Sequence, residues 1–491
     1  MIASCATLPA VTDAAPQRPD REGRASLTAG DLVAATRGTL LARSDRPIRG
    51  GAVDSRQVER GNIFVALAGE HVDGHEFVAD AIAAGAAAIL VARPLDARAA
   101  AAIADQSRGV TVVRVEDPLA ALGAVAGAWR ARFSPLTVAV TGSVGKTSVK
   151  EAAAAVLSSR MRTLRSPGNA NNEIGLPLTL LRIDETVEAA VLEMGMYTGG
   201  EIADLARLAL PSIGVVTGVA PVHLERAGSL AAIAGAKAEL VEALPVSGIA
   251  VLNADDEVVR DFDRRTLARS VRYGFAPQAD VRVEDVRPAG AQGTAFTLVA
   301  AGTRRAIVTP ALGRHSAQNA AAAAAVGLAA GLGIEPIAEA LARGWSAPHR
   351  AELIDLGRYL LLDDTYNAAP PSMLAALDLL ASIPGRPVAV LGEMLELGGL
   401  SDAGHREVGE AAGRTVAELV TVGPGADRIA AAAIAAGLQA ASVHRVADRV
   451  SAAAEVARIV RDGDVVLVKA SRGAALDLLV DDLRAAAGSA R

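Results

Sequence analysis

A chain of 491 residues exceeds what one ordinary hydrophobic core organises, and the length points to about three domains. Apolar residues make up 51%, much of it alanine, aromatics only 2%, and the charges are mixed in sign around a formal net of −6, which argues against a nucleic-acid-binding surface. No apolar stretch approaches the roughly 20 residues that span a bilayer, and the single cysteine, Cys5, excludes an intramolecular disulfide and a thiolate metal cluster.

Residues 1–25 are rich in Ala, Pro and Asp and lack the basic start and apolar core of a signal peptide; they read as a disordered extension to a soluble, cytoplasmic protein. Residues 26–116 combine short strands with an alanine-rich helix after Asp73-Gly74-His75, a smaller N-terminal α/β domain. Residues 117–343 open with a helix (118–132) and the apolar strand 136–141. The β-rich runs 188–193, 212–218 and 248–253 then alternate with helices, which predicts a central doubly wound α/β domain with a mostly parallel sheet. Alternating apolar residues broken by Gly and Pro between 280 and 310 predict antiparallel hairpins. Residues 344–491 repeat the α/β texture, with core strands at 359–363, 387–391, 418–422 and 464–468, as in a C-terminal Rossmann-like domain. No fixed-period repeat is present, which argues against a solenoid.

The strongest chemical signal is Thr141-Gly142-Ser143-Val144-Gly145-Lys146-Thr147-Ser148, between a predicted strand and a predicted helix at 148–159. Glycines let backbone N–H groups face phosphate oxygens, and the helix N-terminus adds partial positive charge. Lys146 would reach the terminal phosphates and the Thr147 hydroxyl would sit on Mg²⁺. Val140 stands where the strict phosphate-loop pattern has its first glycine. The bland reading is a Gly-rich strand–helix turn. Asn169-Ala170-Asn171-Asn172-Glu173 is a loop crowded with donors and acceptors, or else a solvated turn. Glu193 ends an apolar strand at the sheet edge where doubly wound folds bind ligands, and is a metal ligand or a helix cap. His223 follows the next strand in the same topological position, as a ligand or a structural histidine.

This order of motifs resembles the Mur ligase family. The resemblance runs from about Ser26 to Ala475 and also rests on Asp54-Ser55-Arg56, Gly61-Asn62-Ile63-Phe64, Asp73-Gly74-His75-Glu76-Phe77, Asp363-Asp364-Thr365-Tyr366-Asn367-Ala368 and Leu391-Gly392-Glu393-Met394. It implies an ATP- and Mg²⁺-dependent amide ligase of three domains, which hold the UDP-linked acceptor, hold ATP, and close over both. Within the family the closest match is to members that join D-Ala-D-Ala to UDP-MurNAc-tripeptide, with no nucleic-acid partner and a monomeric state. Carried over by position, Gly142 to Ser148 cradle the phosphates, with Lys146 and Thr147 serving phosphate and metal. Glu193 and His223 hold metal, and Lys237, on a helix expected at 229–244, matches a lysine that relatives carbamylate. Lys146, His223 and Lys237 form the implied catalytic set. Asn319 faces adenine, Arg350 and Asp364 reach the nucleotide from the third domain, and Asp54, Ser55 and Arg56 meet the acceptor. Gly218 and Ser316 depart from the residues common in the family.

An amide does not form from a carboxylate in water without a leaving group. Attack of that carboxylate on a γ-phosphate brings two anions together, so Lys146 and Mg²⁺ are needed to neutralise charge. The labile acyl phosphate then requires water to be excluded until the amine arrives, which gives a third domain its purpose. The alternatives are another ligase of this superfamily (one adding the third amino acid, or a folylpolyglutamate synthetase), a phosphate-loop kinase, and a nucleotide-switch protein.

Overall fold

A computed structural model describes residues 25–69, 72–105, 107–221 and 228–489. Most of the expected N-terminal extension, with Cys5, and the candidate His223 lie outside the described residues. Ala25, counted with that extension in the sequence reading, is already packed, its carbonyl accepting from Arg49 Nε at 3.0 Å.

Among the described residues the strands form three sheets. The first contains β1 (Thr39–Ala42), β2 (Gly51–Ala52), β3 (Ile63–Val65), β4 (Ala88–Val91) and β5 (Thr111–Arg114), in the order β1-β5-β4-β3-β2. Only β1 runs antiparallel to its neighbour. Strands β3 and β4 are buried end to end, as the run Ile63-Phe64-Val65 requires of strands covered on both faces.

The second sheet contains β6 (Leu136–Thr141), β7 (Thr163–Arg165), β8 (Ala189–Glu193), β9 (Ile213–Val216), β10 (Ile249–Asn253), β11 (Arg269–Gly274), β12 (Val281–Pro288), β13 (Thr294–Ala300) and β14 (Thr303–Thr309). Their order is β14-β13-β12-β11-β10-β9-β6-β8-β7. Pairing is parallel from β7 through β12, whereas β13 and β14 complete the antiparallel ribbon foreseen between 280 and 310. The decisive feature is that β6 lies between β8 and β9. The chain leaves β6 to one side and returns on the other, and the crevice at such a reversal is where doubly wound sheets hold ligands. Helix Arg314–Ala329 covers this sheet with Ala320 to Ala325 fully buried, small side chains that let it pack closely on helix Lys146–Ser158.

The third sheet contains β15 (Glu352–Asp355), β16 (Leu360–Asp363), β17 (Arg386–Gly392), β18 (Glu418–Val422), β19 (Val443–Val446) and β20 (Asp464–Lys469), ordered β15-β16-β20-β17-β18-β19. All pairs are parallel except β15 with β16, an edge strand the sequence reading did not anticipate.

The three sheets are not equally joined. Helix Pro118–Arg130 packs between the first two, so Ile63, Val65 and Leu90 share one buried cluster with Ala139, Ala190 and Leu192. Trp129 is held there by its Nε1 donating to Ile183 O at 2.9 Å. The third sheet keeps two clusters of its own, and Leu312, from the chain before that sheet, packs against one of them. No described helix is long and apolar enough to cross a membrane.

Candidate active site

The C-terminal ends of β6, β8 and β9 meet those of β16 and β20 across a cleft of about 2750 Å³. The phosphate-loop segment forms one wall. Its helix begins at Lys146, two residues earlier than the sequence predicts, because Gly145 takes φ +86° and ends the turn there. Gly142 has no substitute: at φ +147° a Cβ would lie 1.9 Å from Thr217 Oγ1. Thr217, which the sequence reading did not single out, locks the loop by donating to Val144 O at 2.5 Å. Ser143 N–H is held by Gly218 O at 2.8 Å, and the Ser143 hydroxyl donates to Ala220 O at 3.0 Å.

Glu193 is the electrostatic centre. Its side chain is buried at the end of β8, where Thr147 Oγ1 donates to Oε2 and Asn171 Nδ2 to Oε1, both at 2.8 Å. Asn171 explains the donor-rich loop after Asn169: that loop delivers an amide to the buried Glu193 carboxylate. The fully buried Lys150 holds the loop's root, donating to Ser166 O at 2.9 Å and Gly168 O at 2.7 Å, with Glu193 Oε2 3.8 Å away. A lone Lys in a helix carries no sequence mark of such a role.

Lys146 turns its ammonium into the loop, onto Gly142 O at 2.7 Å and Ser143 O at 3.3 Å. Burial and the neighbouring Arg350 lower its pKa, with Glu193 opposing. Lys237, on helix Leu230–Glu242, lines the same cleft at 3% exposure. It has no hydrogen-bond or ion-pair partner among the described residues, so the alternative of a Lys237–Glu193 pair is not what the structure has. Burial first, and Lys146 second, hold its amine well below the ordinary lysine range.

The third unit contributes Arg350, flanked by two non-glycine residues in the left-handed region, His349 (φ +59°) and Ala351 (φ +50°). Such backbone persists only where its surroundings impose it. Here His349 Nδ1 lies 2.8 Å from Asp363 Oδ2, and Ala351 N–H donates to Asp364 Oδ1 at 3.1 Å. The bend carries Arg350 Nη2 to 2.9 Å from Thr147 Oγ1, with the guanidinium 3.8 Å from the centre of the Tyr366 ring. Arg350 Nε is buried with no hydrogen-bond partner among the described residues. Asp364 lines the cleft, but its carboxylate is engaged by Lys469 Nζ at 2.6 Å as well as by Ala351, which makes it the brace of the Arg350 segment.

Asn319 also reaches the loop, its Oδ1 lying 3.4 Å from where a Gly145 Cβ would stand, and Ser148 and Val144 line the cleft. Beside them Gln318 Nε2 donates to Asp255 Oδ2 at 2.7 Å, and Arg314 stacks 3.7 Å from the centre of the Phe275 ring. Asp54, Ser55 and Arg56 are not brought into this cleft. Asp54 caps the turn and pairs with Arg56 at 2.7 Å, and Gln57 is the member of that segment that lines the wall.

Family models match the chain in three consecutive stretches: "Mur ligase family, catalytic domain" over 47–130, "Mur ligase middle domain" over 140–327 and "Mur ligase, glutamate ligase domain" over 349–472. The chain is 37% identical over 466 residues to the UDP-N-acetylmuramoyl-tripeptide–D-alanyl-D-alanine ligase of Escherichia coli, covering 94% of this chain and 98% of that one. The chain belongs to the Mur ligase family. Another relative of the same description, from Bacillus subtilis, is 36% identical over 447 residues, covering 89% and 93%. Among solved structures, MurF from Acinetobacter baumannii superposes with TM-score 0.82 at 29% identity over 94% of this chain and 99% of that one. MurF from Thermotoga maritima, solved in complex with ADP, gives 0.77 at 28% identity over 90% and 99%. In this Mur ligase the first matched stretch contains β2 to β5, the second β7 to β14 with the end of β6, and the third the whole third sheet.

Proposed function

We propose that the protein ligates D-alanyl-D-alanine to UDP-N-acetylmuramoyl-tripeptide in peptidoglycan precursor synthesis, with ATP converted to ADP and phosphate. The observation that carries this reading is the full-length match to ligases of that one specificity, joined to a site in which Lys146, Thr147, Glu193 and Arg350 converge from two units.

The tripeptide carboxylate attacks the γ-phosphorus of ATP, and the bond to the β,γ-bridging oxygen breaks, giving an acyl phosphate and ADP. Lys146 and Arg350 supply positive charge where the transferred phosphoryl group becomes more exposed. The dipeptide amine then attacks the acyl carbon, the bond to the phosphate oxygen breaks, and the amine proton leaves with phosphate or solvent. The hydroxyl of Thr147 and the buried carboxylate of Glu193 are hard oxygen donors of the kind Mg²⁺ takes. A bound Mg²⁺ would further offset the phosphate charge. We assign Lys237 as a carbamate: a neutral, buried amine adds carbon dioxide, releases a proton, and becomes a carboxylate-like anion facing the same site. His223 keeps its assignment on family position alone.

ATP is an intracellular donor, so this reading places the protein in the cytoplasm, and we propose that it acts as a monomer. We place the domain limits near 117 and 344, each between the last strand of one sheet and the first strand of the next. The test is mass spectrometry of the product from UDP-MurNAc-tripeptide, ATP and D-Ala-D-Ala, with phosphate release measured as each is omitted. The expected outcome is a pentapeptide product, and phosphate only with all three present. Rapid ATP turnover without the amino substrate overturns the ligase reading in favour of a simple NTPase.

A further inference from the structure

Arg472 is a cation on the cleft wall that the reaction, as derived above, leaves without a task. It opens a short 3₁₀ turn, Arg472–Ala474, immediately beyond the C-terminal end of β20. Its root is tied down on several sides. Ser471 N–H donates to Glu393 O at 3.1 Å, Leu395 N–H donates to Ser471 Oγ at 2.9 Å, and Ala475 closes the turn in the left-handed region at φ +49°. The head is the opposite. The side chain is exposed to the cleft, and no carboxylate lies within ion-pair distance of it among the described residues. The third unit's other cations facing this cleft are engaged, Lys469 by Asp364 and Arg350 by Thr147 and Tyr366. A fixed root with a guanidinium that no carboxylate neutralises among the described residues is pre-organised for an anion supplied from outside, and guanidinium geometry suits a carboxylate.

The place of this cation selects which anion. Arg472 lies 5.8 Å and Arg350 3.8 Å from the centre of the same Tyr366 ring, and Arg350 touches Thr147 of the phosphate loop. Arg472 is therefore one aromatic ring away from the point where the acyl phosphate forms. A dipeptide whose amine reaches that point carries its terminal carboxylate about 7 Å further on, within the separation the two ring distances permit. Tyr366, its phenol pKa raised chiefly by burial, is the ring that both guanidinia approach.

We propose that Arg472 binds the C-terminal carboxylate of the incoming dipeptide and so restricts the amino substrate to dipeptides with a free carboxyl end. This rests on the ligase reading above. Arg472 is a specificity residue: it touches the substrate end remote from the bond formed, and its cost falls on dipeptide binding.

The test compares D-Ala-D-Ala with its C-terminal carboxamide in the wild type, Arg472→Ala and Arg472→Lys, with KM for ATP and for the UDP-tripeptide measured in parallel. The wild type is expected to lose about 10- to 100-fold in kcat/KM on the carboxamide, the range of a charge-assisted contact. Arg472→Ala should lose that much on D-Ala-D-Ala, mainly through KM, and should no longer distinguish the two dipeptides, while both other KM values stay unchanged. Arg472→Lys should recover part of the discrimination, which a loss of fold would not allow. A wild-type carboxylate preference retained in Arg472→Ala overturns the assignment. Failure of the wild type to use D-Ala-D-Ala at all overturns the ligase reading instead, so the two failures are distinguishable.

Discussion

At the scale of single residues, the site is built around two lysines with different surroundings. Lys146 donates to two backbone carbonyls and is favoured by Glu193, against burial and Arg350, which together lower its pKa; in the proposed reaction it supplies charge to the transferred phosphoryl group. Lys146→Ala should therefore cut turnover on the order of 10³-fold with an unchanged melting temperature, since its contacts are local. Steady-state kinetics beside a thermal melt checks this, and near-normal turnover in a folded variant would remove Lys146 from the mechanism. Lys237 has no such support, and burial together with Lys146 drives its amine toward the neutral form. Only that form reacts with carbon dioxide. Lys237→Ala should lose activity that added formate or acetate partly restores, because a small carboxylate re-supplies the missing anion. A loss that neither carboxylate repairs, or no loss at all, counts against carbamylation.

At the scale of elements, the third sheet is fastened at the end away from the cleft. Arg386, at the start of β17, forms a two-point pair with Asp464 at the start of β20 (2.9 and 2.8 Å), and it also reaches Glu418 on β18 at 3.2 Å and Ile459 O at 2.8 Å. The buried Asp464 is opposed by desolvation, yet the hydrogen bonds from Arg386 and from the Arg461 backbone win, and its pKa is lowered. Removing the guanidinium leaves a buried carboxylate unpaired, so Arg386→Ala should cost about 3 kcal/mol at neutral pH without altering kcat in whatever fraction stays folded. The sign of the pH dependence follows from the lowered carboxylate. Its stabilisation is fully present above the ordinary aspartate value of about 3.9 and is lost as pH falls through the lower folded value. The stability gap between wild type and variant should narrow below about pH 4. Melting temperatures of both across pH 3–7 test it; a gap independent of pH would assign the effect to packing.

At the scale of the molecule, the first two sheets share a core through helix Pro118–Arg130, whereas the third has cores of its own and meets the second through Leu312 and the Arg350–Thr147 contact. A unit held by few contacts is free to open for substrates and close over a labile intermediate. Scanning calorimetry should accordingly resolve two transitions, one for the fused first and second units and one for the third. A non-hydrolysable ATP analogue should raise the transition of the unit that binds it and draw the two together. A single transition with equal calorimetric and van't Hoff enthalpies would show the three units to be one cooperative body.

Local sequence carried the elements whose signal is itself local. Apolar runs such as Val138-Ala139-Val140 and Leu361-Leu362 can only be buried strands, and the phosphate loop is legible because glycines at positive φ, a lysine and a threonine must be consecutive. The antiparallel ribbon of β12 to β14 was legible for the same reason, from alternation and turn residues. The family resemblance pointed to Lys237, Asn319, Arg350 and Asp364, which have no local mark and which all line the cleft. What tertiary structure alone decided is convergence. The placement of β6 between β8 and β9 brings Glu193 and Thr217 to the loop, and the strained bend at His349 and Ala351 carries Arg350 across to Thr147. It also left the local Asp54–Arg56 pair outside the lining of the cleft, and Arg472 with a fixed root and no partner carboxylate among the described residues. Propensity and periodicity act over a few neighbouring residues, whereas Arg350 and Thr147, 203 positions apart in the chain, meet only when the second and third sheets are packed together.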